Sequence, residues 1–214
     1  MLEKLFIKSF FDLENFKHAS LFEKYTYPWE ALKNLSSYLK KQKLGNIEIF
    51  LDQGIYLVQP SLISIGKGTV IEPGVYIEGP CIIGENCVIR HGAYIRGGMI
   101  CGDRCVIGHA TEIKHSILLN DAKAAHFNYV GDSILGNGVN LGAGVKLANL
   151  RLDEKDIIIS LNGEKVETGL KKLGAVIGDE ASLGCNSVTN PGTLMGKMAS
   201  CYPCMNVSGV IIKL

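Results

Sequence analysis

Apolar residues return every six positions along most of this chain. Ile65, Ile71, Ile77, Ile83, Ile89, Ile95, Cys101, Ile107 and Ile113 follow one another without a slip. The spacing resumes at Leu135, Leu141 and Leu147, and again at Ile177, Leu183, Thr189, Met195, Cys201 and Val207. A fixed six-residue period marks a hexapeptide β-helix, an all-β solenoid. With the periodic residue as position one, position two is Gly at 66, 84, 102, 108, 136, 142, 178, 184 and 196. Position four is Gly at 68, 74, 92, 98, 138, 144 and 192, and Asn at 86 and 186. Both positions are expected at tight corners, where Gly and, less freely, Asn adopt positive φ. Each hexad then reads as a short strand and a turn. If three hexads close one triangular coil, residues eighteen apart stack about 4.8 Å apart, like neighbouring parallel strands. Ile65, Ile83 and Cys101 form one interior column, Ile71, Ile89 and Ile107 a second, and Ile77, Ile95 and Ile113 a third.

The pattern divides the chain into residues 1–60, which do not repeat, and a β-helix over 61–214. Pro28-Trp29-Glu30 opens a helix over about 28–42, with Pro in the first turn and Glu near the positive end of the dipole. Trp29, Leu32, Leu35 and Leu39 supply its apolar stripe, and Gly45 follows its end. This segment is expected to cap the first rung, as solenoids require. Two interruptions stand out. The hexad phase is lost over 115–132, which reads as a loop. A hairpin insertion over 153–172 is centred on Asn162-Gly163, a strong two-residue turn signal, and is expected to reach towards a neighbouring subunit. Breaks in a solenoid repeat map to loops, where binding residues concentrate.

Composition narrows the function. The net charge is +1 and no basic run occurs, so nucleic acid is not an expected partner. No stretch approaches the ~20 apolar residues of a membrane helix, and MLEKLFIKSFF is a poor signal peptide. A cytoplasmic protein without a membrane partner is the resulting expectation. Cys81, Cys87 and Cys105 occupy position five, and Cys101 and Cys201 position one, where cysteine packs as a small apolar residue. Cys87 and Cys105 could stack closely enough for a disulfide, which a cytoplasmic setting disfavours. Cys201-Tyr-Pro-Cys204 has redox spacing but lies in phase with strand hexads, and no second such pair completes a zinc site.

The first interruption collects Lys114, His115, Lys123, His126, Asn128, Tyr129 and Asp132, with Arg90 and Arg96 before it and Asn140 and Asn149 after. These supply cations for an anion, an imidazole for proton transfer, and amides to orient a polar ligand. The runs IGHATEIKHS, KAAHFNYVGDSILGNGVNLGAG and AN carry Lys114, His126, Tyr129, Gly131, Asp132, Asn140, Gly142, Ala143, Gly144 and Asn149. In those positions the chain resembles the acetyltransferase domain of the bifunctional glucosamine-1-phosphate N-acetyltransferase / N-acetylglucosamine-1-phosphate uridyltransferase family. YPWE also resembles the linker that precedes the β-helix in archaeal-type sugar nucleotidyltransferases. The likeness covers roughly residues 25 to 210. No glycine-rich nucleotide-binding loop precedes it, so uridyl transfer is not expected.

The resemblance implies a left-handed coil, although most parallel crossovers are right-handed. It implies acetyl-CoA as acetyl donor, an amino-sugar 1-phosphate as acceptor, a homotrimer with sites between subunits, and a role in UDP-N-acetylglucosamine supply for the cell wall. His126 would be the general base and Asn149 would hold the reacting amine or His126. Arg96, Lys114 and Tyr129 would grip the sugar phosphate and Asn140 would orient the sugar. Ala143, Cys185 and Pro203 would meet acetyl-CoA. No metal is expected. Three departures point to a weakened activity or a different acceptor. Cys185 replaces a family Ser, and a thiol is a weaker donor. Asn149-Leu150-Arg151-Leu152 replaces N-Y-D-G. Lys155, Lys171 and Lys172 all compete for the family's next lysine. An alternative reading is a non-catalytic sugar-phosphate or sugar-nucleotide binder. A γ-class carbonic anhydrase, suggested by His91 and His109 eighteen apart, lacks a His pair four residues apart.

Overall fold

The structure is a computed structural model and describes residues 2–212. Three parallel sheets form the faces of a prism. In chain order, the first face begins with Tyr56–Val58, the second with Ile63–Ile65 and the third with Val70–Ile71. The first and second sheets have eight strands each and the third has seven. Ile65 pairs in register with Ile83 and Ile83 with Cys101. Ile71, Ile89 and Ile107 align likewise, as do Ile77, Ile95 and Ile113. The periodic residues are thus the prism's interior, and almost all of them are buried.

The two glycine sets have different physical causes. Position-four residues turn the chain: φ is +73° at Gly92 and +55° at Asn86. Position-two glycines do not have positive φ, which corrects the expectation for them. They are small because the next coil passes against them. A Cβ on Gly108 would lie 1.5 Å from the Ala125 carbonyl oxygen.

The expected loop over 115–132 is not a loop. Ser116–Leu118, Lys123–His126 and Tyr129–Gly131 are strands of the second, third and first sheets. The register shows why the period fails there. Ile95 pairs with Ile113, eighteen residues on, whereas Ile113 pairs with Val130 and Ile117 with Ile134, seventeen on. One residue is missing from the corner between first and second faces, at Lys114–Ser116 and again at Gly131–Ser133. His115 and Asp132, with φ of +44° and +48°, take these tightened turns. The longer insertion leaves from the same corner. Its strands Ile158–Leu161 and Glu164–Glu167 pair antiparallel around Asn162-Gly163. All three departures from the hexad therefore fall on one edge of the prism.

The non-repeating segment divides in two. Ile47 pairs with Ile65, and Ile47, Ile49, Leu51, Ile55 and Leu57 pack on the interior column, closing the first coil. Residues before them run along the side of the prism instead of capping it. The expected helix over 28–42 is two short helices, Pro28–Lys33 and Leu35–Leu39. Asn34 interrupts them, its side-chain amide donating to the Glu30 carbonyl, an alternative to continued helix. Phe10, Phe22, Trp29, Leu32 and Leu35 bury a second core against Ile100, Ile117, Ile134, Val176 and Leu194. Those five are outward-facing residues of the second sheet, so this sheet is apolar on both sides, as doubly covered strands are. Ile157 and Ile159 of the hairpin join the same core. The hairpin is therefore anchored on its own prism, which corrects the expectation that it reaches away. The Asp12 amide donating to Asp179 Oδ2 at 2.6 Å, and Asn120 Nδ2 to the Asn15 carbonyl at 2.8 Å, pin the segment down.

Candidate functional site

The shortened corner forces side chains from successive coils onto one another. Asp132 is buried at its centre. Its carboxylate receives Lys114 Nζ at 2.9 Å and His115 Nδ1 at 3.1 Å, and accepts a short hydrogen bond from the Asn149 amide. Burial alone would raise the Asp132 carboxyl, but His115, Lys114 and Asn149 outweigh it and hold its pKa at about 2. Because the carboxylate only accepts, His115 faces it with a protonated Nδ1, and its Nε2 is left to act elsewhere. Tyr129 brings its hydroxyl into the same group. A Cβ on Gly131 would stand 2.6 Å from Tyr129 Oη and 3.0 Å from Asn149 Nδ2, so the missing side chain makes room for both. Arg96, one coil below Lys114, pairs with Glu112 at 2.7 Å on the surface. An open cavity of ≈ 490 Å³ adjoins the cluster, lined by Ala148, Leu150, Arg151, Leu152, Asp153, Asn190 and Pro191. A larger one, ≈ 710 Å³, lies in the N-terminal layer among Phe6, Phe11, Phe22 and Tyr25, and none of the cluster lines it.

His126 stands on a different edge, where the third face turns into the first. It ends the strand Lys123–His126 and is exposed. Backbone bonds from Gly144 to His126, Asn186 to Ala143 and Cys204 to Cys185 step one coil each. They stack His126, Ala143, Cys185 and Pro203 along this edge. His109 pairs with His126 from the other side, and His91 and His109 rings lie 5.7 Å apart and nearly parallel. The Nδ1 atoms of His91 and His109 contact the carbonyls of Pro73 and His91, at 2.6 and 2.9 Å. Asn140 is exposed on the third face, in register with Lys123.

Within one chain the expected residues thus form two groups. Lys114, Tyr129 and Asn149, with Arg96 beside them, occupy the first-to-second corner. His126, Ala143, Cys185 and Pro203 occupy the third-to-first corner, across the first face. Asn149 is held by Asp132 rather than by His126, which corrects its expected contact with the base. Asn128 is spent on structure: buried, its amide donates to the Gly142 carbonyl at 2.8 Å. His115 and Asp132 were in the sequence's polar collection but carried no expected role. Their signal is the phase slip itself, since a lost residue at one corner places them over each other. Lys155, Lys171 and Lys172 make no printed contact with the cluster's side chains, apart from the Leu150–Lys172 backbone bridge beside it.

All seven cysteines are free. The Sγ atoms of Cys87, Cys101 and Cys105 lie within 4.8 Å of one another in the interior, the one such three-ligand group among the described residues. Burial pushes the Cys81 thiol up. Cys201 and Cys204 lie on a strand end and a turn, without a helix N-terminus to activate a thiolate. No helix among the described residues is long and apolar enough to cross a membrane.

Comparison with known proteins agrees with this architecture. The family model described as the GMPPB C-terminal domain matches residues 77–173. The bifunctional sugar-1-phosphate nucleotidylyltransferase/acetyltransferase of Sulfurisphaera tokodaii is 41% identical over 88 residues, 41% of this chain and 22% of that protein. The matched segment is thus under a quarter of that relative's length. The "putative uncharacterized acetyltransferase YaiX" of Escherichia coli K12 is 37% identical over 164 residues, 76% of this chain and 71% of that protein. The solved UDP-N-acetylglucosamine acyltransferase of Francisella novicida shares the fold, with TM-score 0.52 and 17% identity over 75% of this chain and 62% of that one. The solenoid is a left-handed parallel β-helix of the hexapeptide acyltransferase kind.

Proposed function

We propose, for a chain that belongs to the hexapeptide acetyltransferase family of YaiX, acetyl transfer from acetyl-CoA to the amine of an amino-sugar 1-phosphate, glucosamine 1-phosphate or a close relative. The observation that carries this reading is the pairing of two edges. One gathers Lys114, Tyr129 and Asn149 beside Arg96, and the other stacks His126 under Ala143, Cys185 and Pro203. The first edge suits a phosphate: guanidinium and ammonium give charge-assisted hydrogen bonds, and Tyr129 adds a hydroxyl donor. The second edge is a groove wall with an exposed imidazole at its foot, suited to an extended thioester donor.

In this reading the amine nitrogen attacks the thioester carbonyl carbon. His126 takes the amine proton, the C–S bond breaks as the tetrahedral intermediate collapses, and that proton passes to the CoA sulfur. A positioned base of this kind contributes about 10²–10⁴-fold. A backbone N–H near Ala143 or Cys185 would stabilise the developing oxyanion, often a large part of catalysis. Because the two edges of one chain lie across the first face, the reading includes a cytoplasmic homotrimer, in which one subunit's His126 edge meets its neighbour's Lys114 edge. Closed cyclic rings favour such head-to-tail seams.

The test is release of free CoA thiol when the protein meets acetyl-CoA and glucosamine 1-phosphate. His126→Ala is expected to lower kcat at least a hundredfold. Undiminished release by that variant would remove His126 from the chemistry. The seam is tested by mixing His126→Ala and Lys114→Ala subunits, which should recover activity that neither has alone.

The dyad of His115 and Asp132 supports a second assignment of the base. Its imidazole is oriented by a carboxylate, as bases in catalytic triads are, whereas the His126 ring has no printed partner. Under that assignment His115→Ala, and not His126→Ala, abolishes turnover.

A further inference from the structure

The outer side of the first face carries tyrosines on successive coils. Tyr56 pairs with Tyr76, Tyr76 with Tyr94, Tyr94 with Glu112 and Glu112 with Tyr129. Tyr56, Tyr76 and Tyr94 are 60%, 37% and 38% exposed, and no element of the chain covers them. The Tyr76 and Tyr94 rings meet edge to face with centroids 5.4 Å apart. The Arg96 guanidinium lies 5.9 Å from the Tyr94 centroid. Glu78, on the same coil as Tyr76, accepts a hydrogen bond from the Tyr94 hydroxyl at 3.3 Å. On the third face the residues at the equivalent coils are Val70, Val88 and Val106, so the aromatic stripe belongs to this face. It runs directly into the cluster at Arg96, Lys114 and Tyr129.

We propose that this stripe is a subsite for a nucleoside, so that the acceptor is an amino sugar carried on a nucleoside diphosphate instead of a bare sugar 1-phosphate. The inference rests on the acetyl-transfer reading above and specifies its acceptor. Three features fit that occupant together. Arg96 and Lys114 lie on adjacent coils and present two cations about 5 Å apart along the prism, the repeat of a diphosphate held across two rungs. The Arg96–Glu112 pair is exposed and weak, so a phosphate can displace Glu112. Two coils below Lys114, about 10 Å away, Glu78 offers a carboxylate that can accept from a ribose diol. Tyr76 and Tyr94 flank it with ring surface on which a base can stack, an interaction that tolerates any base because each has a π-face. A neutral sugar chain would use the tyrosines and Glu78 but leave the cations beside them without a partner.

The experiment compares glucosamine 1-phosphate with UDP-glucosamine as acceptors for acetyl-CoA, in the wild-type protein and in the Tyr76→Ala/Tyr94→Ala double variant. The wild type is expected to favour UDP-glucosamine at least about tenfold in kcat/KM, and the double variant to reduce that ratio to near one. Tyr76→Phe/Tyr94→Phe, which keeps the rings, should restore it. Equal use of the two acceptors by the wild type overturns the proposal and leaves the acetyl-transfer reading standing. So does a double variant that loses both acceptors in proportion while its oligomer dissociates, since the stripe would then be an interface between copies. If neither acceptor is acetylated, the acetyl-transfer reading is what fails. Calorimetric binding of UDP then decides the subsite by itself. Binding weakened tenfold or more in the double variant supports it, and UDP binding no tighter than inorganic phosphate refutes it.

Discussion

Replacing Asp132 by Asn keeps the shape of the corner and removes the charge that organises it. The carboxyl side chain is 9% exposed and the Lys114 side chain 19%, so water screens this pair less than a surface pair. Its pKa falls from 3.8 to about 2 in the folded chain. At about 1.4 kcal/mol per pKa unit, that shift corresponds to roughly 2 kcal/mol of stability. The variant also leaves Lys114 partly buried without its counter-charge, so about 2–3 kcal/mol is expected in all. The sign follows from proton uptake. The unfolded carboxyl binds its proton near pH 4 while the folded one resists until about pH 2. The contribution is therefore complete above about pH 5 and drains away as pH falls from 4 to 2. Denaturant midpoints of the wild type and Asp132→Asn, taken at several pH values from 7 to 2.5, isolate this group because the other carboxylates are common to both. The gap between the two curves should be largest at neutral pH and close in acid. A gap below about 0.5 kcal/mol at pH 7, or one that stays constant into acid, would refute the account of the corner.

Other perturbations separate other parts of the argument. Gly108→Ala places a Cβ 1.5 Å from a backbone oxygen and should cost about 3 kcal/mol or more. Gly163→Ala, with nothing within 4 Å of its Cβ but φ of +85°, should cost only about 1 kcal/mol of backbone strain. Equal losses in urea melts would contradict the distinction between crowded and turning glycines. Ile157→Ala removes a side chain that is 2% exposed in the second core and is expected to cost about 2–4 kcal/mol. Limited proteolysis near Asn162-Gly163 should speed up, and an unchanged rate would mean the hairpin is not held by that contact. Loss of CoA release in His126→Ala, against retention in His115→Ala, chooses between the two candidate bases.

The hexad carried most of the fold, because a six-residue period dictates strand, corner and inward column with only local information. The interior columns of isoleucine were legible down to their register. A second signal was present and unused. Ile82, Ile100, Ile117, Ile134, Val176 and Leu194 recur at the outward position of one strand in three, and they mark the face that the N-terminal segment covers. The candidate site was legible as a set of residue types, and Lys114, Tyr129 and Asn149 do converge. Their neighbours were not legible, because contacts between coils depend on how many residues each corner contains. Dropping one residue from a corner changes the step from eighteen to seventeen and sets Asp132 over His115 without altering any motif. Sequence alone thus determined the coil and the chemistry available to it. Tertiary structure decided which edge each group occupies, since a side chain's partners in a solenoid lie one full coil away and a single deletion reassigns them.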